Sequence, residues 1–144
     1  MLVIATIFLP LLSVGLHYEF LVLASAAVRA LPGAGRADVV LAVVLALVAH
    51  VIEVVAFGIG WLVLTRAGVV DLSIPSPTLA EAIYFSGSVY TSLGFGDIVP
   101  MSSGRFLVVL EAVTGLVLIA WTASFTFYQM RESWMDDADQ EGRK

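Results

Sequence analysis

The sequence predicts an all-α membrane protein with three membrane-spanning helices and one short helix that enters the membrane without crossing it. Hydrophobic residues make up 60% of the 144-residue chain and charged residues only 13%, whereas soluble domains are about 45–50% apolar and about 25% charged. Three apolar runs each exceed the roughly 20 residues that cross a bilayer. Between the second and third runs lies a segment that is too short for a fourth span.

The three apolar runs cover residues 2–28, 39–64 and 106–130. A cleaved signal peptide is an alternative for the first run, but that run is too long and no basic segment precedes its apolar part. We therefore expect it to remain as a spanning helix. Residues 29–38 contain Pro, Gly and two arginines, which is typical of a tight loop between two spans.

Residues 65–105 follow a different pattern. Thr78 and Glu81 have the spacing of a capping box, which marks the beginning of a helix. The helix predicted at 79–90 is roughly 18 Å long, about half the thickness of a membrane. The irregular segment 91–97 follows it, and irregular backbone is tolerated at membrane depth only where protein or water surrounds it. The sequence therefore predicts a re-entrant loop between two antiparallel spans.

Basic residues outside the spans predict the orientation in the membrane, since they collect on the cytoplasmic side. Five lie on one side and two on the other: Arg29, Arg36, Arg131, Arg143 and Lys144 against Arg66 and Arg105. We therefore expect a cytoplasmic C-terminus in the plasma or inner membrane. The N-terminus and the re-entrant segment then face outside. Trp61 would lie near the outer interface, where it suits an aromatic belt.

The glycines of the irregular segment suggest an ion-binding role. Gly94 and Gly96 permit backbone angles that other residues avoid, so successive carbonyl groups can point the same way. Several copies around an axis would form rings of carbonyl oxygens that replace the water shell of a cation. The negative end of the short helix dipole lies at the same place and favours a cation over an anion.

This segment resembles the signature T-x-x-G-[YF]-G-D of the potassium-channel pore-domain superfamily, the two-transmembrane pore-loop ion channels. In this chain it reads Thr91-Ser92-Leu93-Gly94-Phe95-Gly96-Asp97. The resemblance extends from about the second span to the end of the third, and short prokaryotic members are the most similar. It implies a homotetrameric channel, surrounded by membrane lipid, that conducts K⁺ selectively through a carbonyl-lined filter.

The resemblance also implies a division of the chain. Residues 1–38 would form an extra N-terminal helix and a cytoplasmic loop, residues 39–130 the pore domain, and residues 131–144 a short acidic cytoplasmic tail. Within the pore domain, the implied elements are an outer helix at 39–64, a pore helix at 79–90, a selectivity filter at 91–97 and an inner helix at 106–130.

Residue roles follow from the same resemblance. The implied K⁺ ligands are the oxygens of Ser92, Leu93, Gly94 and Phe95, and Gly96 completes the filter. Thr91, Asp97 and Glu111 would support it. The usual carboxyl partner of Asp97 would fall near Ser88, where the acid is absent, and we expect Glu111 to replace it. Gly115 falls near the family's hinge glycine, although close helix packing explains a small residue there equally well.

Ionisable residues within the spans form a second group of candidates, because they are costly in hydrocarbon. His50 and Glu53 lie three residues apart on one helix face, and His17 falls at a similar depth in the first span. A metal site needs three or four converging ligands, and a pH sensor needs access for protons. We expect instead a polar clasp that joins the first helix to the second.

Several functions remain as alternatives to a potassium channel. One is a weakly selective cation channel of the same fold, and another is a non-conducting assembly subunit. A third is an intramembrane metalloenzyme built on His17, His50, Glu53 and Glu111, but the chain lacks H-E-x-x-H. We expect no enzymatic activity and no cofactor apart from permeant K⁺. Since the chain has no basic patch, we expect no nucleic-acid partner either.

Overall fold

The computed structural model describes residues 1–30 and 36–141. These residues form four α-helices: α1 at Leu2–Arg29, α2 at Arg36–Arg66, α3 at Leu79–Tyr90 and α4 at Arg105–Glu141. Two short strands, β1 at Asp71–Leu72 and β2 at Pro100–Met101, pair in antiparallel fashion, and a 3₁₀ turn at Ser102–Gly104 leads into α4. Residues 31–35 of the predicted tight loop and residues 142–144 of the predicted tail lie outside the described residues.

Three of the helices are long and apolar enough to cross a membrane: Leu2–Arg29, Ala37–Arg66 and Arg105–Arg131. The predicted all-α membrane fold with three spans is therefore confirmed. The last helix continues to Glu141, so the tail expected after residue 130 is helical over its described part. Neither Gly nor Pro occurs between residues 131 and 141, and nothing there interrupts the helix.

Helix α3 begins with the predicted capping box. The Thr78 hydroxyl accepts a hydrogen bond from the Glu81 amide at 3.2 Å, and the Glu81 carboxylate accepts one from the Thr78 amide at 2.7 Å. That backbone bond holds the pKa of Glu81 below its ordinary value. The helix ends at Tyr90, where the Thr91 hydroxyl donates to the Gly87 carbonyl at 2.7 Å.

Helix α2 packs against both α1 and α3. A Cβ on Gly58 would lie 2.8 Å from the Cα of Ile83, and a Cβ on Gly60 would lie 2.6 Å from the Cδ1 of Leu9. The approach of Gly58 to the Ile83 backbone requires glycine, whereas the end of the Leu9 side chain beside Gly60 can shift. Because these two glycines are two residues apart, α3 and α1 pack against nearly opposite faces of α2. Small residues commonly allow such packing between helices in membranes.

Trp61 is completely buried in the core, at 0% exposure. Its ring meets Phe85 of α3 edge-on, with the centroids 5.0 Å apart. The prediction that Trp61 belongs to an aromatic belt at the membrane interface is therefore wrong. Residue 61 lies on the side of α2 that faces the re-entrant helix. Hydropathy locates a spanning helix along the sequence but does not specify how that helix is rotated about its axis.

Candidate functional site

The segment after α3 has alternating backbone handedness. Ser92, Gly94 and Gly96 have φ angles of +58°, +57° and +80°, while Leu93 and Phe95 between them do not have positive φ. Such alternation turns successive peptide groups to the same side of the chain. Two of the three left-handed positions are glycines, which adopt this conformation without the steric cost that a Cβ imposes. Ser92 adopts it despite its side chain.

Three amide groups of this segment donate hydrogen bonds to α3. The Ser92 amide donates to the Val89 carbonyl at 2.9 Å and the Gly94 amide to the Ser88 carbonyl at 3.0 Å. The Phe95 amide donates to the Ser88 hydroxyl at 3.1 Å. Because the amides are engaged behind the segment, the carbonyl oxygens can face the opposite side together. The sequence predicts Ser88 only as the place of a missing acid, whereas its hydroxyl accepts a hydrogen bond from the Phe95 amide and so holds the segment.

Tyr84 of α3 holds the outer end of the segment. Its hydroxyl donates to Oδ2 of Asp97 at 2.9 Å, and its ring stacks on Phe95 with a centroid distance of 6.0 Å and an interplanar angle of 4°. The hydrogen bond from Tyr84 holds the pKa of Asp97 below its ordinary value. Phe95 has no hydroxyl of its own, and the stack on Tyr84 is a ring contact that it makes within the chain.

Glu111 does not take the place beside Asp97 that we expected. It is buried behind α3, where its carboxylate accepts hydrogen bonds from Nε1 of Trp61 at 2.6 Å and from the Ser86 hydroxyl at 2.5 Å. Its position in α4 directs the side chain towards α2 and α3. Glu111 therefore anchors the back of α3, and it acts on residues 91–97 through that helix.

Gly115 lies where α4 crosses the end of α3. A Cβ built on Gly115 would overlap the carbonyl oxygen of Tyr90. Close packing of α4 against the end of α3 therefore explains why residue 115 is glycine. Its expected role as a gating hinge remains a prediction.

The predicted cluster of ionisable residues forms, and it is larger than we expected. Nδ1 of His17 lies 3.0 Å from Oε1 of Glu53, and Nδ1 of His50 lies 3.2 Å from Oε2. Tyr90, the last residue of α3, donates its hydroxyl proton to Glu53. Thr122 of α4 lies within hydrogen-bonding distance of both histidines. The cluster thus joins all four helices at the end of α3.

The chain matches a protein family described as "ion channel" over residues 39–132, which is more than half of its length. It belongs to the two-transmembrane pore-loop ion channels. The matched range contains α2, α3, the segment with alternating handedness and the membrane-spanning part of α4. Helix α1 precedes this range, and its role as an addition to a pore domain stays a prediction.

Two similar proteins are both called Protein LctB, one from Bacillus caldotenax and one from Geobacillus stearothermophilus. Each is 32% identical over 50 residues, which is 35% of this chain and 37% of the relative. The match therefore spans little more than a third of the length of these curated relatives. No solved structure matches the chain.

Proposed function

We propose that four copies of this ion channel protein form a potassium-selective pore in the cell membrane. The observation that carries the proposal is the alternating handedness of residues 92–96, combined with their amide bonds to α3. This backbone can present the carbonyl oxygens of Ser92, Leu93, Gly94 and Phe95 as successive cation ligands. Gly96 continues the alternation, and Asp97 places a negative charge at the outer mouth.

A single chain supplies only one wall of such a pore. All seven residues from Thr91 to Asp97 are exposed in the isolated chain, and Leu93 and Phe95 each reach 61%. Irregular backbone cannot face lipid, so other copies and a water-filled axis must cover it. Rings of carbonyl oxygens require a closed cyclic arrangement of identical chains. Four copies are what the resemblance to potassium channels implies.

The remaining features follow from this arrangement. The N-terminus and the filter mouth face outside, and the C-terminus lies in the cytoplasm, as the distribution of basic residues favours. Lipid surrounds α1 and the outer face of α2. The pore needs no enzymatic step, and K⁺ itself is the only ion that it has to bind.

The test is ion flux into liposomes that contain the purified protein, with K⁺ and Na⁺ compared in parallel. We expect K⁺ uptake well above Na⁺ uptake, and block by Ba²⁺, which is close to K⁺ in size. In mild detergent the particle should have about four times the 15.4 kDa mass of the chain.

Each alternative predicts a different result. Equal K⁺ and Na⁺ uptake would identify a weakly selective cation channel. An intact tetramer without flux of either ion would identify a non-conducting subunit. A stable monomer would rule out the carbonyl ring.

A further inference from the structure

We propose that His17, His50 and Glu53 form a binding site for a divalent transition-metal ion of the Zn²⁺ type, with Tyr90 as the fourth ligand. One ligand atom from each of the first three residues lies within 4.8 Å of the others. Two imidazoles and a carboxylate are a ligand set that zinc sites use. This proposal goes beyond ion conduction and does not depend on it.

The distances suit such an ion. A tetrahedral ion with bonds of about 2.0–2.1 Å holds its ligand atoms roughly 3.3 Å apart. Nδ1 of His17 lies 3.0 Å from Oε1 of Glu53, Nδ1 of His50 lies 3.2 Å from Oε2, and the Tyr90 oxygen lies 2.9 Å from Nδ1 of His50. Side-chain rotation would place an ion among one atom from each of the two histidines and Glu53, which already lie within 4.8 Å of one another.

Thr122 provides a second observation that points to a cation. Its Oγ1 lies 2.9 Å from Nε2 of His50 and 3.3 Å from Nε2 of His17. If both Nδ1 atoms bind a metal, both Nε2 atoms carry protons and can donate to the two lone pairs of this one oxygen. Metal-bound histidines commonly have such a partner on the other ring nitrogen.

The cluster without a metal has too few protons for its contacts. Both Nδ1 atoms face the Glu53 carboxylate, so a hydrogen bond to it requires a proton on each. Two neutral imidazoles in that tautomer have bare Nε2 atoms, and the single hydroxyl proton of Thr122 can serve only one of them. A metal ion resolves this mismatch. An extra proton on one imidazole would also resolve it, and the experiment below separates the two occupants.

The surroundings would hold an ion away from bulk water. His17 and Glu53 are 0% exposed, and His50 keeps 15% of its side chain accessible in the isolated chain. The two positive charges of the ion are balanced when the Glu53 carboxylate and the Tyr90 phenolate both bind it. The phenol proton of Tyr90 is then released to water. The bound metal would then tie α1 to the last residue of α3, directly before the filter.

The test uses the 144-residue chain in mild detergent, stripped with a chelator and titrated with Co²⁺ as a spectroscopic substitute for Zn²⁺. We expect one Co²⁺ per chain, with the visible absorption of tetrahedral coordination. His50→Gln should abolish it, because Gln keeps polarity but not the imidazole ligand. Thr122→Val should weaken binding about 10–100-fold, as loss of an outer partner does. Glu19→Gln, two residues from His17 on the exposed side of α1, is the matched control and should bind normally.

Three results would overturn the proposal. One is the absence of stoichiometric metal binding by the correctly assembled protein. Another is binding that persists in His50→Gln or in His17→Ala. The third is thermal stability that depends on pH through His50 and that metal does not alter, which would assign the site to a proton.

Discussion

Replacing Glu111 tests whether the back of α3 is held by buried hydrogen bonds. Glu111 is 0% exposed and accepts hydrogen bonds from Trp61 and Ser86. In Glu111→Leu the Trp61 N–H loses its partner inside the core, where no water can replace it. The Ser86 hydroxyl loses less, because the Val54 carbonyl lies 2.9 Å away as a second acceptor.

The expected loss of stability follows from this difference between Trp61 and Ser86. A buried donor without a partner costs about 1–3 kcal/mol, so we expect each chain to lose about that much stability in Glu111→Leu. Glu111→Gln is the matched control. Its amide oxygen can still accept from Trp61 while its NH₂ group donates to the Ser86 oxygen, and Ser86 then donates to Val54. We expect Glu111→Gln to lose less than about 1 kcal/mol, the typical net value of one hydrogen bond.

The assay is unfolding of the detergent-solubilised assembly by heat and by denaturing detergent, with K⁺ flux measured on the same preparations. Glu111→Leu should dissociate or unfold first, and Glu111→Gln should follow the unmodified protein closely. If the leucine variant is as stable as the unmodified protein, the hydrogen bonds to Glu111 do not hold α3. If both variants lose stability equally, the carboxyl group of Glu111 stabilises the fold in some way other than these hydrogen bonds.

Three further changes test the filter and its contacts. A Cβ at residue 94 would have no atom within 4 Å, but at φ +57° it would strain the backbone by roughly 1–2 kcal/mol. Gly94→Ala should therefore insert and assemble yet lose K⁺ selectivity in flux assays. Retained selectivity would contradict the carbonyl-ring arrangement. Gly115→Ala would clash with the Tyr90 carbonyl and should lower the melting temperature, whereas altered gating at unchanged stability would favour a hinge. Tyr84→Phe removes the bond that lowers the pKa of Asp97; Asp97 should then lose its charge at a higher pH, so K⁺ flux should begin to fall at a higher external pH than in the unmodified protein.

Local signals predicted the framework of this molecule well. Hydropathy located the three spans, because crossing hydrocarbon requires length and apolar composition, which are properties of contiguous sequence. The capping box located the beginning of α3 at Leu79. The paired glycines located the positive φ angles at Gly94 and Gly96, although not the third one at Ser92.

Contacts between distant residues were harder to predict, because they depend on how each helix is rotated about its axis. Glu111 pairs with Trp61 across 50 positions of sequence, and no local pattern links the two. The sequence does contain one indication of a partner for Glu111. An acid within a span needs polar partners, and the short helix offers the polar residues Ser86 and Ser88. Equal depth suggested that His17 and His50 meet, but it did not suggest Thr122 or Tyr90.

The two buried acids explain how a short helix can position a filter. Helix α3 has 12 residues, a length at which an isolated helix is only marginally stable in water. Glu111 of α4 holds it through Ser86, and Glu53 of α2 holds it through Tyr90. Both bonds lie behind the helix, which leaves Ser88 and Tyr84 free to hold the filter segment and Asp97 in front. The acids are costly in a membrane, and this anchoring gives a physical reason why the chain contains them.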